Sequence, residues 1–239
     1  MPIAFSTSSP LERYGHNLTA LAQQGAFAPL AGQDAVIDRI FQVLSRKNRS
    51  NPLILDFDES RRFAVIAEVV RRMAAGEAPD PFSRQQVIAL DIEALFQNPP
   101  DDTLSRQKRL KLQQTTLEKK FVQGENESEE EWLERVGEIP LWPTLEEWIA
   151  PDLPLECLQS VFIAIRQALG SYLLFVDHFH RLVGGEYDTY PIDAANILKP
   201  TLARREIQLI GTCTLEQYQQ HIERDAAIQR RFQEVVLPH

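Results

Sequence analysis

The chain has 239 residues, 44% hydrophobic and 25% charged, with a formal net charge of −9 at pH 7. That length holds one large domain or two small ones, and that balance builds a sizeable core and excludes wholesale disorder. Net acidity does not draw a phosphate backbone, so nucleic acid is not an expected partner; Cys157 and Cys213 make no C-x-x-C pair, so reduced thiols rather than a zinc ribbon are expected.

Residues 1–10 are small and polar and read as a tail, without the basic segment and apolar run of a signal peptide. Leu11, Tyr14, Leu18 and Leu21 recur at helical spacing and predict one helix from Leu11 to Gln24, stopped by Gly25. Val36, Ile37, Ile40, Phe41 and Leu44 share a face of a second helix within Asp34–Leu44. The period then changes. Pro52-Leu-Ile-Leu-Asp56 is a buried-strand pattern, Phe63–Met73 is helical again up to Gly76, and Val87-Ile-Ala-Leu-Asp91 is a second strand. Further on, Leu158–Leu169 is a helix closed by Gly170, and Tyr172–Asp177 is a third strand, apolar until its last residue. Pro191–Arg204 reads as helix, Ile207–Gly211 as a fourth strand, and Leu215–Phe232 as helix, with Val235 and Val236 a last strand.

Strands alternating with helices predict an α/β domain over residues 11–239, with a mostly parallel sheet of about five strands covered on both faces. Strands that end in Asp or Gly put their carboxyl ends where ligands bind in such folds. The apolar stretches fall short of a membrane span, so a soluble, cytoplasm-like compartment (or an equivalent such as the chloroplast stroma) is expected. Residues 97–154 interrupt the rhythm. This segment opens on Asn98-Pro-Pro-Asp-Asp102, carries a Lys/Arg/Gln-rich helical stretch and a run of glutamates, and holds Trp132, Trp142 and Trp148, the only tryptophans in the chain. It reads as an insertion with its own small structure. Tryptophan is enriched at binding hot spots, which makes these three candidate anchors for a partner.

Several long strings resemble one family. Leu11-Glu-Arg-Tyr-Gly-His-Asn-Leu-Thr-Ala-Leu-Ala22 and Ile37-Asp-Arg-Ile-Phe-Gln-Val-Leu-Ser-Arg46 resemble the entry to the first AAA+ domain of the Clp unfoldases, ClpB and ClpC. Ile192–Arg204, Gly211-Thr-Cys-Thr-Leu-Glu-Gln-Tyr218 and Glu223–Gln233 are similar to the same family. The resemblance covers roughly 11–96 and 155–237 and implies the large AAA+ subdomain of an ATP-driven protein remodeller. The chain stops at Leu237-Pro-His239, where that family continues into a small helical lid, and the insertion stands where it carries a substrate-gripping pore loop, so neither is expected.

The site residues depart from what the resemblance implies. The family carries G-x-x-G-x-G-K-T after its first strand, because backbone N–H groups wrap phosphates only where no side chain obstructs them, while Lys and a hydroxyl serve the phosphates and magnesium. Here the glycine slots hold Asp56, Glu59 and Arg61, the lysine slot Arg62, and the threonine slot Phe63. The family's later Asp-Glu pair is Asp177-His178, and the slot of its sensor Thr or Asn holds Cys213. Arg230 and Arg231 occupy the positions of its arginine fingers, which reach a neighbour's ATP. His178 and His180, with Asp177, show no third metal ligand, Asp177 is expected to face away from them, and His16, His221 and His239 have no useful spacing; no metal site and no cofactor are expected. The resulting expectation is a non-catalytic pseudo-ATPase acting as a protein-interaction module, with a Clp-type hexamer or its protease as the candidate partner. The alternatives are an atypical ATPase using Arg62 and Asp177, and a structural subunit of an unrelated complex.

Overall fold

The computed structural model describes residues 9–97, 153–168, 170–183 and 194–238. Trp132, Trp142, Trp148 and nearly all of the insertion at 97–154 lie outside the described residues.

Six strands form one sheet: β1 (Gly15–Asn17), β2 (Asn51–Leu55), β3 (Gln86–Leu90), β4 (Tyr172–Val176), β5 (Leu209–Cys213) and β6 (Phe232–Val236), in the order β1-β3-β4-β5-β2-β6. All pairs are parallel except β1 with β3. The helices are α1 (Pro10–Arg13), α2 (Leu18–Gln23), α3 (Asp34–Leu44), α4 (Glu59–Ala74), α5 (Ile92–Gln97), α6 (Leu153–Gln167), α7 (Ala195–Ala203), α8 (Leu215–Gln217) and α9 (Ala226–Gln229).

Strand alternation divides the core in two. Leu53 and Leu55 of β2 point to a cluster with Leu174, Val176 and Leu209, covered by Leu158, Val161 and Ile165 of α6 and by Leu198 of α7. Ile54 between them points to the other cluster, with Val87, Leu173, Phe175 and Ile210, covered by Ile37 and Ile40 of α3 and Ile66, Val69 and Val70 of α4. The expected α/β sheet covered on both faces is therefore present.

Three predicted elements are corrected. The single helix over Leu11–Gln24 is broken into α1, β1 and α2. Local capping divides it: Ser9 and Glu12 form a capping box at α1, which also draws Ser9 and Pro10 out of the expected tail, and the Asn17 side chain accepts the Ala20 N–H at 3.0 Å to start α2. Gly15 fits at the break because a Cβ there would lie 2.6 Å from Cγ2 of Ile88 on β3. The three residues between the caps add a sixth, antiparallel edge strand to the expected five.

The predicted helix over Leu215–Phe232 is also divided. Thr214 caps α8 with a capping box, a π-helical turn follows over Tyr218–Ile222, and Asp225 caps α9 by accepting the N–H groups of Ala227 and Ile228. Phe232 then opens β6 instead of closing a helix. Strand β5 runs two residues later than Ile207–Gly211, which places Cys213 as its last residue.

Candidate functional site

Because β2, β4 and β5 are parallel neighbours, the residues after Leu55, Val176 and Cys213 emerge at one edge of the sheet. Asp56, Glu59, Arg61, Arg62, Asp177, His178 and Cys213, singled out above, gather there or on the adjoining first turn of α4, and Phe63 opens the next turn.

The turn from β2 to α4 satisfies its own backbone. Four N–H groups at a helix start lack an intrahelical acceptor. The Asp58 carboxylate accepts from Ser60 N–H at 2.8 Å and Arg61 N–H at 3.3 Å, and the Asp56 carboxylate accepts from Asp58 N–H at 2.8 Å. Arg61 Nη1 pairs with Asp56 Oδ2 at 2.8 Å, and the Arg61 guanidinium also donates to the carbonyl of Pro238. Arg62 is almost wholly buried, at 2% exposure, and its Nη1 donates to the Asp56 carbonyl at 2.6 Å, while its Nε is buried with no hydrogen-bond partner. Phe57 is 74% exposed, and Phe63 packs edge-on against Phe27 with ring centroids 6.1 Å apart.

Opposite this turn, Asp177 and His178 follow β4. His178 has φ 50° and ψ 47°, a left-handed conformation that cancels strand alternation and turns its ring back toward Asp177. The expectation that Asp177 faces away is therefore corrected: its Oδ2 lies 3.7 Å from His178 Nε2, and Glu59 Oε2 lies 3.7 Å from the same nitrogen. Asp177 Oδ1 is held by the His178 backbone N–H at 2.9 Å and by the hydroxyl of Thr212. Thr212, fully buried on β5, escaped the sequence reading.

Histidines remote in sequence also meet. The His180 ring lies 5.8 Å from that of His178 and 5.9 Å from that of His221, centroid to centroid. Burial, and then the neighbouring charges of His178 and His221, push His180 down to about 4. Burial pushes the Cys213 thiol up to about 12, so it is a neutral core group and no nucleophile.

Arg230 and Arg231 lie elsewhere. They precede β6, whose first residue pairs with Asn51 at the start of β2, so they sit at the opposite end of the strands from Asp56 and Asp177. Arg230 is exposed and its Nε donates to the Ala226 carbonyl of its own helix at 2.8 Å; the Arg231 carbonyl accepts from Asn51.

Among the described residues, no helix is long and apolar enough to cross a membrane. No protein-family model matches the chain. Individual proteins do. The chain is 32% identical over 225 residues to the chaperone protein ClpB 1 of Thermosynechococcus vestitus, covering 94% of this chain and 20% of that protein. It is 32% identical over 228 residues to the chloroplastic chaperone protein ClpC1 of Arabidopsis thaliana, covering 95% of this chain and 19% of that one. It thus spans about a fifth of the length of the curated relatives it matches. Its fold superimposes on an Hsp104–ADP complex from S. cerevisiae with a TM-score of 0.64 at 25% identity, over 96% of this chain and 30% of that one. With sequence similarity over nearly its whole length and a matching fold, the chain is a homologue of an AAA+ domain of the Clp family.

Proposed function

We propose that this chain is a catalytically inactive AAA+-like module that works through protein contacts, as an adaptor, regulator or subunit of a Clp-type chaperone or protease assembly. The observation that carries the reading is the turn at Asp56–Arg62: the N–H groups that a phosphate loop offers to a nucleotide are taken up by the carboxylates of Asp56 and Asp58. The side chains act as an internal substitute for the anion. A triphosphate entering here would have to displace both carboxylates and then lie beside them and Glu59. Like charges about 4 Å apart repel by about 1 kcal/mol in water and about 4 kcal/mol at a protein surface. Phe63 brings no oxygen to magnesium, and His178 stands where a water-polarising carboxylate is needed. This donor set does not fit magnesium-bound ATP, which supports loss of both nucleotide binding and hydrolysis.

A second reading, an atypical ATP-binding protein, has one observation in its favour. The unpartnered Nε of buried Arg62 is an anion-seeking group. Against it, Arg62 is turned to the Asp56 carbonyl and the cradle in front of it is filled.

With catalysis gone, the retained fold serves as a surface. In this proposal Arg230 and Arg231 face a neighbouring subunit, and the segment 97–154, with Trp132, Trp142 and Trp148, carries the partner-specific contacts. A cytoplasmic or stromal location agrees with a family that includes a chloroplastic ClpC1. Two measurements test the proposal together. Phosphate release with Mg²⁺ and ATP is expected at background level, and turnover abolished by Asp177→Ala contradicts it. Capture of Clp-type ATPase or protease subunits from the native extract is expected for the full chain and is weakened when the three tryptophans are replaced by alanine; capture of neither subunit type contradicts the assembly assignment.

A further inference from the structure

We propose that Glu59, Asp177 and His178 form a binding site for a divalent transition-metal ion, with Zn²⁺ as the reference ion. The inference goes beyond the loss of nucleotide chemistry and does not depend on it, since no phosphate takes part.

The three donors come from two rigid elements that the sheet holds in fixed relation: Glu59 opens the 16-residue helix α4, while Asp177 and His178 follow β4. Nε2 of His178 lies 3.7 Å from Oε2 of Glu59 and 3.7 Å from Oδ2 of Asp177, and the ligand atoms of all three lie within 4.8 Å of one another. A tetrahedral ion with ligand bonds of about 2.0–2.1 Å places neighbouring donors about 3.4 Å apart. Each distance to the imidazole need shorten by only a few tenths of an ångström: χ rotation of the exposed Glu59 side chain closes one, and a small rotation of the His178 ring closes the other.

Donor chemistry selects the class of ion. Imidazole favours Zn²⁺, Co²⁺, Ni²⁺ and Cu²⁺, whereas Mg²⁺ and Ca²⁺ prefer all-oxygen shells. Two carboxylates and a neutral imidazole bring a charge of −2, which a divalent ion cancels. The outer contacts orient the ligands as metal sites require. Asp177 Oδ1 is fixed by the Thr212 hydroxyl and the His178 N–H, which leaves Oδ2 toward the imidazole. Side-chain exposures of 67% for Glu59 and about a third for Asp177 and His178 give an ion access and leave room for water in a fourth position. Arg61 and Arg62, which follow Glu59 on α4, are engaged with Asp56, and Arg181 with Glu93.

The same geometry suits a protonated imidazole paired with two carboxylates, and the test separates the two. Metal-free full-length protein is titrated with Zn²⁺ alone, without nucleotide, and its affinity is read by competition with a chromophoric chelator; Co²⁺ is titrated separately and followed by its visible absorption. The expected result is one Zn²⁺ per chain, with affinity reduced at least about tenfold in both His178→Ala and Glu59→Gln and unchanged in His16→Ala. The Co²⁺ band is expected in the wild type and absent from His178→Ala. Glu59→Gln alters an exposed side chain, so its result stands even if His178→Ala does not fold. Absence of stoichiometric Zn²⁺ binding, or equal affinity in wild type and Glu59→Gln, overturns the proposal.

Discussion

The Asp56 carboxylate accepts the backbone N–H of Asp58 while its other oxygen pairs with Arg61 Nη1, each at 2.8 Å. The first turn of a helix that in its relatives' family follows a phosphate loop is thus bound to its own chain. The consequences can be measured in stability as well as in ligand binding.

Removing the cap should weaken α4. Asp58 accepts two N–H groups at the start of a 16-residue helix, so Asp58→Ala is expected to cost about 0.5–2 kcal/mol in urea unfolding. Asp58→Asn or Ser, which can still accept, should recover most of that loss. Equal stability of Asp58→Ala and wild type would show that the contact adds nothing.

Gly211 on β5 leaves no room for a side chain. A Cβ there would lie 2.9 Å from Cδ1 of Leu53 and 3.2 Å from Cβ of Phe179. Gly211→Ala should therefore destabilise by about 1–3 kcal/mol through overpacking, measured as a lower urea midpoint. An unchanged midpoint would show that Phe179 gives way freely.

Glu68 predicts a pH dependence. Its carboxylate, on α4, accepts from Arg71 and Arg72 and from the Leu30 N–H, and it is almost wholly buried. The hydrogen bond from Arg71, opposed by burial and reinforced by Arg72, lowers its pKa from 4.5 to about 2. An acid whose folded pKa is depressed stabilises the fold above its unfolded pKa and loses that contribution as pH falls through the folded one. The window is therefore pH 4.5 down to 2, and a shift of this size corresponds to at most about 3 kcal/mol. Glu68→Gln should be less stable than wild type at pH 7, with the difference narrowing as the pH falls through that window. A constant difference across it would contradict the assignment.

Reversing the charges of Arg230 and Arg231 tests the proposed partner face. Neither residue contributes to the core, and they lie at the far end of the strands from Asp56. The double variant Arg230→Glu/Arg231→Glu should keep the wild-type unfolding midpoint yet lose affinity for a captured Clp-type partner or lower that partner's ATPase rate. Retention of both quantities would remove these arginines from the interface.

The parts of the molecule that were legible in the sequence were those with strong periodicity. Leu53–Leu55, Val87–Leu90 and Leu173–Val176 announced buried parallel strands, and their order put Asp56 and Asp177 at one sheet edge. What escaped depended on single hydrogen bonds. Asn17 and Asp225 end apolar patterns that otherwise read as continuous helices, and a three-residue strand such as Gly15–Asn17 is too short to show a period. Phe232 looked like the last turn of a helix because its strand partner, Asn51, is remote in sequence. At the site, residue identities at 56–63 were readable, but the use of Asp56 and Asp58 as internal caps was not. The left-handed turn at His178 reversed the facing expected from strand alternation, and the Thr212 hydroxyl on Asp177 and the approach of His221 to His180 arise only from tertiary packing.

The turn at Asp56–Arg62 is proposed to be closed to nucleotide. Calorimetric titration of the full-length protein with Mg²⁺ and ATP measures this most directly. No saturable heat is expected at concentrations up to about 1 mM. Saturable binding tighter than about 1 mM that disappears in Asp177→Ala would contradict it.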